Sequence, residues 1–214
     1  VLGGAAYLFQ NNGGKGVLLG GIASADPGKV AVLGAGMAGE QAVATAASLG
    51  ASVTIIDSDA DRLQRLVLAY QHCTGVLSTE QSVAEAVKDA DLVISAVMVA
   101  GRRAPVVITQ SMIDRMTPGS VIVDIAIDQG GSVENIQPTS YEQPIYRCDD
   151  ILLQAVPNMP GAVPRTASQA LSSAVLPYVV EILERGLEQS RLQAATSVQN
   201  GQVVDPVLKE ELGL

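Results

Sequence analysis

Short apolar runs alternate along this chain with longer stretches in which apolar residues recur at helical spacing. The short runs predict strands and the longer stretches predict helices. Strands are expected at Val30–Leu33, Val53–Ile56, around Val76, Leu92–Ala96 and Val121–Asp124. Helices are expected at the N-terminus and near Met37–Leu49, Ala60–Tyr70, Ser82–Lys88, Thr109–Met116 and Thr166–Gly186. The alternation predicts an α/β fold with a doubly wound parallel sheet, followed by a C-terminal helical segment and a polar tail, Gln189–Leu214.

The strongest motif follows the first predicted strand, where Gly34, Gly36 and Gly39 form the pattern GxGxxG. Gly34 permits a tight turn, Gly36 lets a pyrophosphate approach the backbone, and Gly39 lets the helix pack closely on the sheet. The phosphates are expected at the start of this helix, beside Met37 and Ala38, because its free N–H groups favour an anion. The motif predicts a dinucleotide site in a Rossmann-type fold.

Two charged residues near the second strand bear on the choice of dinucleotide. Asp57 ends that strand, where a carboxylate accepts hydrogen bonds from the adenosine ribose and repels a 2′-phosphate. This favours NAD over NADP as cofactor. Arg62 follows on the next helix, and its guanidinium would either favour a 2′-phosphate or stack on the adenine.

Composition narrows the class of partner. The formal net charge is −9 and no basic run is present, which argues against nucleic acid or an anionic membrane and favours a small-molecule substrate. No apolar stretch is long enough for a membrane span and the N-terminus does not read as a signal peptide, so we expect a cytoplasmic protein. Cys73 and Cys148 are far apart and have no neighbours at metal spacing, which predicts reduced cysteines and no metal site.

In a parallel sheet the ligand lies at the carboxyl ends of the strands, so the residues that follow these ends are candidates for chemistry. They include Asp124 and Asp128, which precede a Gly-Gly pair, and Asn158 in a Pro-rich loop. A carboxylate beside the nicotinamide would move a proton while hydride is transferred, although a loop acid would equally cap the next turn. Asn158 would bind the nicotinamide ribose or the substrate, or would simply form a turn.

Four segments together resemble the alanine dehydrogenase family: NGGKGVLLGG at 12–21, the glycine fingerprint, VDIAIDQGG at 123–131 and NMPGAVPRTAS at 158–168. The resemblance covers nearly all of the first 185 residues. It implies reversible, NAD-dependent oxidative deamination of L-alanine to pyruvate and ammonia by a homo-oligomer, usually a hexamer. It also implies that residues 1–160 are the NAD-binding domain and that residues 161–214 are a remnant of the substrate domain.

The resemblance assigns roles to individual positions. Asp128 and Asn158 reach the active site and are the expected catalytic residues. The expected cofactor-binding set is Gly34, Gly36, Met37, Ala38, Gly39, Asp57, Arg62, Thr79, Val97, Met98, Ile125, Asp128, Asn158 and Met159.

The family's catalytic lysine and histidine and its substrate-binding arginine belong to an N-terminal segment that this sequence does not include. His72, Lys15 and Lys29 match none of them, and we expect both lysines to be solvated. We therefore expect this chain to bind NAD but to turn over alanine poorly by itself.

Two alternatives stay open: a stand-alone NAD-binding module without catalysis, and a relative of the proton-translocating transhydrogenases, whose loops differ from IDQGG and NMPGAVPRT. The last predicted helix adds a further choice. Its apolar stripe is expected either to mediate oligomerisation or to pack on the chain's own sheet. The stripe comprises Ala170, Leu171, Ala174, Val175, Val179, Ile182 and Leu183.

Overall fold

A computed structural model describes residues 1–99, 101–187, 192 and 195–214. They fall into two compact units. The first comprises residues 1–99 and 103–157, and the second contains Gly101, Arg102 and the described residues from Asn158 to Leu214.

The first unit is built on a seven-stranded sheet. Its strands are β1 (Lys29–Leu33), β2 (Ser52–Asp57), β3 (Cys73–Leu77), β4 (Leu92–Ser95), β5 (Val121–Asp124), β6 (Tyr146–Cys148) and β7 (Ile151–Gln154). They lie in the order β3-β2-β1-β4-β5-β7-β6. The pairings are parallel except that β6 runs antiparallel to β7. The predicted doubly wound parallel sheet is confirmed, whereas β6 and β7 were not predicted.

The helices of this unit are α1 (Leu2–Tyr7), α2 (Met37–Ser48), α3 (Ala60–Ala69), α4 (Glu80–Asp89) and α5 (Gln110–Ile113). Because the chain winds from β1 outward to β3 and then returns to β4 on the other side of β1, the strand order reverses between β1 and β4. Ligands of open α/β sheets bind at such a reversal, outside the carboxyl ends of the strands. The topology therefore predicts a ligand site beside the residues that follow Leu33 and Ser95.

Strands β4 and β5 are buried along their whole length, and β1 is buried from its second residue. Their side chains are largely Val, Leu and Ile, as expected for central strands covered on both faces. Only a few polar side chains are buried in this region, and Asp57, Ser95 and Asp124 are among them. All three end their strands at the carboxyl edge of the sheet.

The second unit contains the long helix α6 (Pro164–Arg185), which begins with a proline at its first position and is followed by Gly186. The predicted helix is confirmed. No residue of α6 is buried, and Leu171 and Leu183 are 65% and 79% exposed. The first part of the predicted tail, Gln189–Leu214, lies mostly outside the described residues. Its later part forms a hairpin of β8 (Val198–Gln199) and β9 (Gln202–Val203), followed by α7 (Pro206–Leu212), elements that were not predicted.

Candidate functional site

The turn after β1 requires a glycine at its first position. Gly34 has a φ of 89°, and its N–H donates to the carbonyl oxygen of Ile56 over 2.8 Å. A Cβ at this position would lie 2.7 Å from the carbonyl oxygen of Ala96. Left-handed backbone and crowding therefore both exclude a side chain, so the chain turns from β1 toward α2 next to the end of β4.

The other two glycines of the fingerprint differ in their surroundings. A Cβ on Gly39 would overlap the carbonyl oxygen of Gly34. Any residue other than glycine at position 39 would therefore prevent the close approach of α2 to the turn. A Cβ on Gly36 would meet no atom within 4 Å. The open space at Gly36 lies where α2 begins, and this residue has no side chain with which to cap the helix. Met37 and Ala38 form the exposed first turn.

This arrangement fits the pyrophosphate of a dinucleotide. The first turn of a helix has N–H groups without helical acceptors, and the helix dipole adds positive potential there. The space at Gly36 allows an anion to approach these N–H groups directly. The geometry therefore agrees with the role that the sequence predicts for the glycines.

Asp57 ends β2 with its side chain 9% exposed. Its Oδ2 accepts a 2.6 Å hydrogen bond from the N–H of Ala35, and its Oδ1 accepts one of 2.9 Å from the N–H of Asp59. Arg62 places Nη1 3.6 Å from Oδ2. Each carboxylate oxygen has a second lone pair that these N–H groups do not use. The acid is thus held beside the glycine-rich turn, and Arg62 lies on its exposed side.

The next predicted cofactor residues follow β3 and β4. Thr79 caps α4, since its hydroxyl oxygen accepts from the N–H of Ser82 over 3.0 Å while the Ser82 hydroxyl accepts from the N–H of Thr79. Val97 is half-buried and Met98 is 70% exposed just beyond β4. The parallel register aligns Leu33 with Ser95, so this segment adjoins the glycine-rich turn.

Strand β5 leads directly into a short 3₁₀ helix, Ile125–Gln129, that carries Asp128. The register aligns Asp124 with Ser95, so this loop leaves the same edge of the sheet as the segment after β4. Asp124 itself is fully buried, whereas Asp128 is exposed. The two acids of the VDIAIDQGG motif therefore differ in role: Asp128 is accessible to a ligand, and Asp124 lies inside the protein.

The Asp124 carboxylate accepts hydrogen bonds from the N–H groups of Ala126 and Ser132 and from the Ser132 hydroxyl, at 2.8, 2.7 and 3.1 Å. The Ser132 hydroxyl also lies 2.6 Å from that of Ser95. Burial raises the pKa of Asp124 above its ordinary value, and the hydrogen bonds from Ser132 and Ala126 oppose that shift. Sequence reasoning missed Ser95 and Ser132, since neither serine belongs to a distinctive sequence pattern.

Asn158 and Met159 belong to the second unit. Asn158 adopts left-handed backbone with φ 51° and ψ 52°, and it begins the 3₁₀ helix Met159–Ala162. Its carbonyl oxygen accepts from the N–H of Gly161 over 2.8 Å. Asparagine tolerates this conformation better than most residues, so the turn-forming role considered for Asn158 is realised. The predicted binding role of Asn158 and Met159 stays a prediction.

The remaining candidates lie toward the amino ends of the strands. His72 is exposed in a turn that precedes β3, with a φ of 59°. Lys15 was expected to be solvated, and this was wrong: its ammonium group lies 2.5 Å from Asp91, is 16% exposed and donates to the hydroxyl of Ser120. Lys29 is exposed, as expected.

Among the described residues, no group of three or more His, Cys, Asp or Glu side chains is placed to hold a metal ion.

Within the same described part of the chain, no helix combines the length and hydropathy that a membrane crossing requires. Cys73 and Cys148 are both free thiols.

Comparison with known proteins identifies the family of this chain. Residues 1–206 match the family described as "Alanine dehydrogenase/PNT, C-terminal domain". The alanine dehydrogenase of Bacillus subtilis (strain 168) is 42% identical over 217 residues, which cover 98% of this chain and 57% of that protein. The alanine dehydrogenase of Halomonas elongata is also 42% identical, over 99% of this chain and 58% of that protein. The chain thus spans less than two thirds of these relatives.

Among solved structures, an alanine dehydrogenase is more similar to this chain than a transhydrogenase is. An L-alanine dehydrogenase matches with a TM-score of 0.89 and 43% identity, over 100% of this chain and 60% of that chain. A transhydrogenase from Sinorhizobium meliloti matches with a TM-score of 0.71 and 27% identity, over 94% of this chain and 58% of that chain. The family and these relatives indicate NAD as the cofactor, in agreement with the prediction from Asp57. On this identity and coverage, the chain belongs to the alanine dehydrogenase/PNT C-terminal domain family.

Proposed function

We propose that this chain is the cofactor-binding part of an NAD-dependent alanine dehydrogenase, an oxidoreductase that converts L-alanine, NAD⁺ and water reversibly to pyruvate, ammonium, NADH and a proton. The observation that carries the proposal is the identity of 42% to the Bacillus subtilis alanine dehydrogenase over 98% of the chain. The lower identity to the transhydrogenase ranks that alternative second.

The bound nicotinamide would supply the hydride acceptor, and the residues of this chain would position it. Gly34, Gly36 and Gly39 shape the turn that receives the pyrophosphate, beside the first turn of α2 formed by Met37 and Ala38. Asp57 accepts the adenosine ribose hydroxyls, because both of its oxygens have a free lone pair. Arg62 lies by the adenine. The proposed groove is completed by Thr79, Val97, Met98, Ile125 and Met159.

Asp128 and Asn158 are the catalytic residues in this proposal. Asp128 is exposed at the carboxyl edge of the sheet, where its carboxylate accepts the proton that oxidation of the amine releases. Asn158 orients the substrate or the nicotinamide ribose. Residues 1–160 act as the NAD-binding domain, and residues 161–214 contribute to the substrate side.

The proposal includes a homo-oligomer and a cytoplasmic location. The exposed apolar side chains of α6, such as Leu171 and Leu183, support self-association, because large exposed apolar patches commonly mark contact surfaces. The two free thiols are compatible with a reducing compartment.

The first experiment is a titration of the purified chain with NADH and NADPH, followed by coenzyme fluorescence, which the absence of tryptophan keeps free of overlap. We expect saturable NADH binding that is tighter than NADPH binding. Asp57→Asn should weaken NADH binding about tenfold or more, because a charged acceptor of the ribose is lost. Asp61→Asn makes the same change at an exposed position on α3 and should bind like the wild type.

The second experiment adds the segment of the relatives that this chain does not cover. The preceding segment of the Bacillus subtilis alanine dehydrogenase is fused to this chain, and formation of NADH is followed with L-alanine as substrate. We expect alanine-dependent NADH, lowered at least about a hundredfold by Asp128→Asn, as is usual when a general base is removed. Asp114→Asn, on the surface beside α5, serves as the matched control. A fusion that binds NADH but never oxidises alanine would favour the non-catalytic module.

A further inference from the structure

The loop between Asp124 and Ser132 is fastened at both ends by one carboxylate. Oδ1 of Asp124 accepts from the N–H of Ala126 over 2.8 Å, where the loop begins. Oδ2 accepts from the N–H of Ser132 over 2.7 Å, where it ends. The seven intervening residues therefore form a closed loop on a buried anion, and Asp128 lies in the middle of it.

A chain of hydroxyl groups extends this anchor to the neighbouring strand. The carboxylate of Asp124 is an acceptor, so the hydroxyl of Ser132 donates to it over 3.1 Å. The Ser132 hydroxyl then has only lone pairs left for the hydroxyl of Ser95, 2.6 Å away, and Ser95 must donate. All three residues are 0% exposed. The anchor therefore joins the ends of β4 and β5 below the protein surface.

The conformation of the loop depends on two glycines and leaves one buried acceptor without a partner in the described part of the chain. Gly130 and Gly131 are left-handed, with φ 94° and 82°, and a Cβ on Gly131 would overlap the side chain of Ile136. In addition, Oε1 of Gln129 is buried and has no hydrogen-bond partner among the described residues. An unsatisfied buried acceptor destabilises the folded state. Other interactions must hold the loop in this conformation, and the two backbone hydrogen bonds to Asp124 do so at its ends.

We infer that Asp124 is a positioning residue for Asp128: by closing the loop 125–131 at both ends, it fixes the exposed carboxylate of Asp128 at the carboxyl edge of the sheet. The inference rests on the proposed function in taking Asp128 as the group that acts. Asp124 itself is buried and does not touch the ligand. Its effect on the reaction is exerted through the loop backbone.

The first test measures the loop without any ligand. Asp124→Asn keeps the shape of the side chain but turns one of its two acceptor atoms into a donor, so one end of the loop is released. We expect whichever of the Ala126 and Ser132 amide hydrogens loses its acceptor to exchange at least about tenfold faster by NMR, because its hydrogen bond to residue 124 is lost. Amides in β1 and β2 should not change, and Asp114→Asn is the surface control. Unchanged exchange at Ala126 and Ser132 would overturn the inference.

Ser132→Ala provides a milder variant in case Asp124→Asn unfolds the chain. It removes the hydroxyl bond to Asp124 but keeps the N–H of residue 132. We expect a smaller acceleration of exchange, confined to the same loop. If the exchange rates of the loop amides did not rise, the anchoring role would be wrong.

The second test asks whether Asp124 acts through Asp128, and it uses the fusion described above. Asp124→Asn should lower kcat strongly and change KM for NAD⁺ little, because the glycine-rich turn and Asp57 are intact. The double variant with Asp128→Asn should be no slower than Asp128→Asn alone. Independent, multiplying losses would contradict the inference. Absence of turnover in the unsubstituted fusion would count against the proposed function only, because the exchange measurement judges the anchor separately.

Discussion

The backbone N–H of Ala35 donates a 2.6 Å hydrogen bond to Oδ2 of Asp57 in the interior of the protein. The acid that ends β2 therefore fixes the glycine-rich turn that follows β1. The sequence predicted a single role for Asp57, that of ribose acceptor. The structure adds a role in the architecture of the glycine-rich turn, so in the proposed function ribose and pyrophosphate recognition would depend on the same carboxylate.

The first prediction concerns this double role. Asp57→Asn should lower the free energy of unfolding by about 1–3 kcal/mol, because the NH₂ group of asparagine cannot accept a hydrogen bond. The N–H of either Ala35 or Asp59 is then left without its acceptor. Urea unfolding followed by circular dichroism measures this change, with Asp61→Asn as control. An unfolding free energy equal to that of the wild type would mean that water or the backbone replaces the bond to Ala35.

Gly36 and Gly39 allow the roles of stability and binding to be separated. Gly36→Ala should leave the unfolding free energy within about 0.5 kcal/mol of the wild type, because a Cβ there meets no atom within 4 Å. It should nevertheless weaken NADH binding about tenfold or more, since the Cβ occupies the approach of the pyrophosphate. Fluorescence titration and urea unfolding of the same preparation measure the two quantities.

Gly39→Ala should behave in the opposite way. Its Cβ would overlap the carbonyl oxygen of Gly34, so α2 must move away from the turn. We expect a loss of about 1–3 kcal/mol in the free energy of unfolding, the usual range for an overpacked site. If Gly39→Ala were as stable as the wild type and Gly36→Ala were not, the roles assigned to the two glycines would be reversed.

Asp124 gives a prediction about pH. Its pKa is raised in the folded protein, mainly by burial, so the folded state holds this proton to a higher pH than the unfolded state does. The contribution of Asp124 to stability is therefore complete below its ordinary pKa of 3.8 and is lost as the pH rises through the folded value. The difference in unfolding free energy between wild type and Asp124→Asn should fall with rising pH in this window. A difference that rises with pH would contradict the direction of the shift.

Thr79 tests whether a helix cap also serves the cofactor. Thr79→Ala should cost about 1 kcal/mol of stability, because the N–H of Ser82 loses its acceptor, and Thr79→Ser should restore most of it. The predicted cofactor role adds a second effect: Thr79→Ala should bind NADH more weakly at a temperature at which both proteins are folded. Equal NADH affinity would leave Thr79 as a helix cap alone.

Much of the fold was predictable because its signals are local. The strands from β1 to β5 are apolar runs, and the helices between them show helical periodicity. Strands β6 and β7 were not predicted. β6 has only three residues and no apolar run, whereas β7 begins with the buried apolar run Ile151–Leu153, a signal that was overlooked. The ion pair between Lys15 and Asp91 was not predicted either, because a lysine in a glycine-rich segment is expected to be solvated.

The sequence by itself determined the class of fold, the glycine-rich turn, the acid that ends β2 and the family. Each of these depends on residues that are near one another in the chain, where spacing and residue type suffice. Only the tertiary structure decided how buried polar groups pair: Ala35 with Asp57 at a separation of 22 residues, Ser95 with Ser132 at 37, and Lys15 with Ser120 at 105. A buried polar group takes its partner from whatever the fold brings within reach, and no local pattern along the chain records that choice.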